Sequence, residues 1–270
     1  MAEKNQNFPN AFEAFLLVAG LFMAEYLVGA ALYDMHGFLS IETRDLAGII
    51  TLLGNGCVFT LVMHYKGLSY GELFHPSASS ALATFFVLFP AILLTVPALL
   101  LVSSVLGELL VWLVPMSSSE VAMFAEMESG GFAAIVCACI LAPILEEMLF
   151  RGIILRSFLQ LYSRSVAIFG SAFLFGIAHL NIYQFAAGAV MGVFLGWLYE
   201  RTRSIIPCIA LHAAYNIGCT WITLNGAGDP SDSPDGFSAF AWASAILLGV
   251  AGVFMLRRIL LVRIQRQPGS

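Results

Sequence analysis

Three short polar clusters stand inside otherwise apolar sequence, and their residue types and spacing suit amide hydrolysis. The first is Glu146-Glu147-Met148-Leu149-Phe150-Arg151. Glu147 and Arg151 are four apart, share a helix face and can pair, which lowers the cost of burying either. Glu146 sits about 100° round the helix and points elsewhere. Two adjacent carboxylates with one arginine leave a surplus negative charge that needs another partner. The second cluster, Phe175-Gly176-Ile177-Ala178-His179, puts a ring and an imidazole on one face with small residues between. The third, His212-Ala213-Ala214-Tyr215-Asn216, sets an imidazole and an amide on adjacent turns.

Each cluster has a bland reading taken singly: a buried Glu–Arg network that fixes packing, or a histidine hydrogen-bonded across helices. Taken together they reach further. Ionisable groups in hydrocarbon cost about 2.5–3.5 kcal/mol each on insertion scales, so an intramembrane cluster is a functional candidate by default. A carboxylate and an imidazole jointly hold and deprotonate water. A second imidazole beside an amide supplies donors to a developing oxyanion. Glu146, His179 and His212 are equally a set of three zinc ligands with an open fourth position. The HExxH signature is absent, and no serine or cysteine sits in a nucleophile-elbow or Cys-His pattern.

The elements that must position these groups are membrane helices. Of 270 residues, 60% are hydrophobic and only 11% charged, with a mean hydropathy of +0.89. So few charges cannot cover a water-facing surface; lipid must be the main solvent. Apolar runs long enough to span a bilayer fall near 11–33, 46–64, 83–106, 132–156, 166–180, 184–200, 205–224 and 238–256. They are continuous rather than alternating, which favours helices over barrel strands. The expected fold is an all-α polytopic bundle of about eight transmembrane helices. The first run is too long for a signal-peptide core and reads as a retained helix. The fifth and sixth are short, with a tight turn at Asn181 and Tyr183. Gly188, Gly192 and Gly196 share one face of the sixth, where a neighbouring helix can approach closely.

Within one membrane domain, three parts differ in character. Residues 1–131 are apolar helices and an outer loop, in which 1–115 hold few polar intramembrane groups and 107–131 form the loop, partly as a surface helix. Residues 132–224 carry the polar clusters. Residues 225–270 comprise a Gly/Asp/Pro/Ser loop, a last span and a basic tail. With eight spans and a cytoplasmic N-terminus, Lys4, Lys66, Arg151, Arg156, Arg164, Arg201, Arg203, Arg257, Arg258, Arg263 and Arg266 fall inside, and only Arg44 outside. Lys/Arg bias sets orientation, so both termini are expected in the cytoplasm and the chain in a cell inner membrane. Acidic residues such as Asp34, Glu42, Asp45, Glu120, Glu126, Glu128, Asp229, Asp232 and Asp235 gather opposite. There is no basic stripe for nucleic acid. Cys57, Cys137, Cys139, Cys208 and Cys219 lie within spans and read as packing residues.

The three clusters, in order on successive polar spans, resemble the pattern EExxxR, FxxxH, HxxxN of the CAAX prenyl protease and bacteriocin-processing (CPBP) family, which includes the type II CAAX endopeptidases. The resemblance covers about residues 132–224. It implies an intramembrane endopeptidase acting on a membrane-associated protein or peptide. Carried over, Glu146 and His179 would activate the water and His212 with Asn216 would form the oxyanion site. Glu147 and Arg151 would orient and balance charge, and Phe175 would shape the cavity wall. The family is described as glutamate-type, which implies no cofactor; zinc on Glu146, His179 and His212 is the alternative. Two other classes compete: a non-catalytic membrane scaffold or regulator, bacteriocin-immunity-like, that retains the cluster, and a transporter with a proton relay. Against the transporter stands the lack of repeated halves or paired broken helices.

Overall fold

Why a helix forms at each apolar run follows from the solvent: in lipid the backbone must satisfy its own hydrogen bonds. The computed structural model describes residues 7–39, 46–77, 79–128, 131–225 and 238–265, and among these there is no strand. The helices are α1 (Ala11–Leu39), α2 (Leu46–Lys66), α3 (Tyr70–Phe74), α4 (Ala81–Leu113), α5 (Ser118–Glu128), α6 (Gly131–Leu161), α7 (Arg164–Ile177), α8 (Ile182–Thr202), α9 (Ile206–Leu224) and α10 (Ala239–Gln265). A helix therefore occupies each of the eight expected positions. Six of them, α1, α2, α4, α6, α8 and α10, are long and apolar enough to cross a membrane. α7 has only 14 residues, and α9 is made less apolar by His212, Asn216, Thr220 and Thr223. Phe12, Leu61, Phe132, Trp221 and Phe240 are exposed, an apolar surface that suits lipid contact.

Two expectations are corrected. The fifth run does not stay helical to 180: α7 ends at Ile177, and His179 sits in the turn beyond it. The stretch 107–131 is less loop than expected, since α4 continues to Leu113 and α5 fills much of the remainder. Lys4, Glu42, Arg44, Asp45, Asp229, Asp232, Asp235 and Arg266 lie outside the described residues. All five cysteines are free thiols.

Packing sorts the helices into neighbours. α1 lies along α2, α7 along α8, and α4 touches α8, α9 and α10, while α6 meets α7 and α9. The small face of α8 explains its closeness to α7: a Cβ on Gly192 would lie 2.8 Å from the Ala172 Cα. Asn181 starts α8, its side-chain oxygen accepting from the Tyr183 and Gln184 N–H groups at 2.9 and 3.2 Å, an N-cap that satisfies two of the helix's first donors. The start of α9 is pinned to α3, where the Ser204 hydroxyl and the Ile205 N–H both donate to the Phe74 carbonyl at 3.1 Å.

α6 is not a uniform α-helix. It widens into π-helical turns at Cys137–Leu141 and Met148–Leu155, with an α-helical segment at Ala142–Glu147 between them. Proline lacks an N–H and its ring crowds the carbonyl four residues back. Widening the turn before Pro143, where the Ala142 N–H reaches the Cys137 carbonyl, relieves that conflict. π-turns inside α-helices gather at functional sites, and these two bracket Glu146 and Glu147.

Candidate active site

Arg151 is the largest fully buried side chain among the described residues, and its surroundings show how a charge is kept there. Its Nη1 donates to Glu147 Oε1 at 2.8 Å, with both side chains fully buried. Its Nη2 donates to the Gly192 carbonyl at 3.3 Å. Its Cζ lies 4.5 Å from the centre of the Phe175 ring, a cation–π contact strengthened by the dry environment.

Glu147 Oε1 has a second partner. His212 Nδ1 lies 2.9 Å away, and because an ionised carboxylate only accepts, the imidazole donates through Nδ1. That fixes the ring so that Nε2 faces Glu146, 3.8 Å from its Oε2. This exceeds hydrogen-bonding distance, so Glu146 keeps its lone pairs, and Oε2 has no protein partner. The Glu146 side chain is 33% exposed while that of Glu147 is 0%. One carboxylate is sealed in the network and the other faces open space.

That space is a cavity of about 230 Å³ enclosed by α1, α2, α6 and the end of α7. Glu146 and His179 both line it, with Phe150 and Phe175 between them. His179 Nδ1 lies 2.9 Å from the Phe175 carbonyl and donates to it, which leaves Nε2 as the nitrogen able to take a proton. The Phe175 ring meets both imidazoles edge-on, at 5.2 Å from His179 and 5.7 Å from His212. Asn216 donates from Nδ2 to the Ala138 carbonyl at 2.8 Å, and neither it nor His212 is among the residues lining the cavity.

The opposite wall carries two polar groups that the motif reading passed over. Asn55, buried, donates from Nδ2 to Glu25 Oε1 and to the Thr51 carbonyl, both at 2.9 Å. Glu25, Thr51 and Asn55 line the cavity facing Glu146. The expectation that residues 1–115 add little polar character at membrane depth is thus corrected. A signal was present: Glu25 is an acid within an apolar helix, which is itself a functional candidate. It lacked a motif, because its partner sits on another helix.

Among the described residues no three His, Cys, Asp or Glu side chains are grouped to hold an ion. Nδ1 of His212 is committed to Glu147 and Nδ1 of His179 to a backbone carbonyl, so only the Nε2 atoms and Glu146 would be left as ligands.

Fold and site together define a polytopic helical membrane protein with a buried ionic network beside a small cavity, where Glu25, Asn55, Glu146 and His179 stand among apolar side chains. Residues 128–218 match the family model of the type II CAAX prenyl endopeptidase, Rce1-like, a stretch that contains all seven motif residues. A Bacillus subtilis (strain 168) protein described as "Putative membrane peptidase YdiL" is 35% identical over 85 residues, which is 30% of this chain and 34% of that protein. The chain thus matches about a third of the length of that curated relative. No solved structure matches.

Proposed function

We propose that this chain is an intramembrane endopeptidase that splits a peptide bond in a membrane-associated protein or peptide. The observation that carries the reading is that Glu146 and His179, from different helices, line one small cavity while His212 Nε2 approaches Glu146 from a third. The matches to the Rce1-like model and to a membrane peptidase support the same class.

In this reading a water in the cavity donates to Glu146, and the Nε2 of His179 accepts its second proton as the oxygen attacks the carbonyl. General-base catalysis of this kind contributes about 10²–10⁴-fold. His212, held through Nδ1 by Glu147, presents Nε2 to the developing oxyanion; with Nε2 protonated, Glu146, Glu147, Arg151 and His212 sum to zero charge. The second N–H of the Asn216 amide is left to join it. Glu147 and Arg151 act by positioning, and Phe175 walls the site. The proton taken up is returned to the leaving nitrogen, which closes the cycle.

No metal enters this scheme; zinc on Glu146, His179 and His212 is the alternative, for which the two Nε2 atoms remain available because a metal-bound histidine commonly donates its other ring N–H to a carboxylate or carbonyl, and a chelator series in the same assay separates the two. The charge distribution supports cytoplasmic termini in an inner membrane. The test is cleavage by purified protein of a quenched peptide library and a membrane-anchored reporter. Glu146→Gln and His179→Ala should lose at least about 100-fold in turnover at unchanged folding. If both variants cleave like wild type, the peptidase reading fails and a scaffold role takes its place.

A further inference from the structure

Two apolar slots of about 670 and 810 Å³ open where α4, α8 and α10 meet, the larger one also walled by α7. They share a wall of Leu99, Phe194, Val253, Leu261 and a single charged residue, Arg257. Other arginines cluster at the same end, with Arg164 and Arg201 on the larger slot and Arg258 on the smaller. Arg164 and Arg201 both engage Glu200, at 2.9 and 3.2 Å. Arg258 rests over Phe254, 5.1 Å from its ring centre. Arg257 is exposed and has no ion pair or hydrogen bond to the described residues.

Two apolar slots that meet at one unpaired guanidinium have the outline of a diacyl phospholipid, whose two chains leave from one phosphate. A guanidinium binds phosphate through paired N–H groups. Four arginines against one glutamate leave this end net positive, and no Asp or Glu lines either slot to receive a choline or ethanolamine. We infer that Arg257 holds the phosphate of an anionic phospholipid whose acyl chains fill the two slots. Basic pockets between membrane helices suit such headgroups. Arg257 lies on α10, outside residues 128–218, and none of the seven motif residues lines either slot, so this site is distinct from the candidate active site and independent of the peptidase reading.

The test uses the full chain, delipidated in non-ionic detergent, with native mass spectrometry and thermal unfolding as readouts. The probes are dioleoyl phosphatidylglycerol, dioleoyl phosphatidylcholine and inorganic phosphate. Phosphatidylglycerol should form a one-lipid adduct and raise Tm, phosphatidylcholine should bind at least about fivefold more weakly, and inorganic phosphate should leave Tm unchanged. Arg257→Gln should weaken phosphatidylglycerol about fivefold, the worth of one basic contact with an anionic headgroup, and erase the preference. Val253→Trp, which fills the shared wall and keeps the charge, should weaken both lipids, and it carries the test if Arg257→Gln does not fold. Equal binding of the two lipids by wild type, stabilisation by phosphate alone, or wild-type affinity in either variant would overturn the inference.

Discussion

Glu147 and His212 stand 65 residues apart in the chain and share a 2.9 Å hydrogen bond in the buried interior. Glu147 therefore carries two jobs on one oxygen, neutralising Arg151 and aiming the His212 ring at Glu146. The surplus negative charge apparent in the sequence finds its second partner here, on α9. This junction makes the site sensitive to residues that never reach the cavity.

Arg151→Met removes the charged partner of a buried pair and leaves Glu147 with His212 alone. Such losses cost about 3–5 kcal/mol. Reversible unfolding in mixed micelles should show a loss of this order, and Glu147→Gln added to Arg151→Met should restore part of it. A double variant no more stable than Arg151→Met alone would argue against the coupling.

Glu147→Gln tests positioning without touching the cavity. The amide can neither balance Arg151 nor hold His212 equally well, so the ring should lose its aim. Turnover should fall by about 100-fold, comparable with losing one oxyanion donor, while the binding of a non-cleaved peptide changes little. A variant that loses binding and turnover equally would point to collapse of the cavity instead.

Gly192→Ala places a methyl 2.8 Å from the Ala172 Cα and Cβ, so α7 and α8 must separate. The same shift draws the Gly192 carbonyl from Arg151. Overpacking of this kind costs about 1–3 kcal/mol, read as a lowered Tm. Unchanged stability would mean that the helices move apart freely.

Asn55→Ala frees Glu25 from its amide donor, a bond to a charged group being worth about 1.5–3 kcal/mol. If the α1–α2 wall helps place substrate or water, kcat/KM should fall about tenfold or more with folding retained. Activity equal to wild type would reduce the pair to a packing contact.

The capping box at the start of α3 has a pH signature. Ser69 donates from its backbone N–H and hydroxyl to the Glu72 carboxylate at 2.9 and 2.7 Å, which holds Glu72 below the ordinary carboxylate range, the backbone bond contributing most. A depressed acid stabilises the fold above its unfolded pKa and loses that contribution as pH falls through the folded value. The protection factor of the Leu73 amide, its exchange corrected for the intrinsic base-catalysed rate, should therefore fall on acidification, and Glu72→Gln should abolish that fall.

Much of the plan was legible in the sequence because it is periodic and local. Continuous apolar runs require helices in lipid, and a helix stands at each expected position. The Glu147–Arg151 pair follows from one turn of helix. Gly192 on a bare face announced the close approach of α7 and α8. What the tertiary structure alone decided are relations between helices. The Glu147–His212 bond, the Gly192 carbonyl beneath Arg151, the Glu25–Asn55 wall and the slots around Arg257 depend on how rigid rods are rotated and crossed. A lone polar residue in an apolar helix carries no spacing that reveals its partner, and the turn that frees His179 from α7 is set by the Asn181 cap of the next helix. Local periodicity fixes which face a side chain occupies, whereas packing chooses what that face meets.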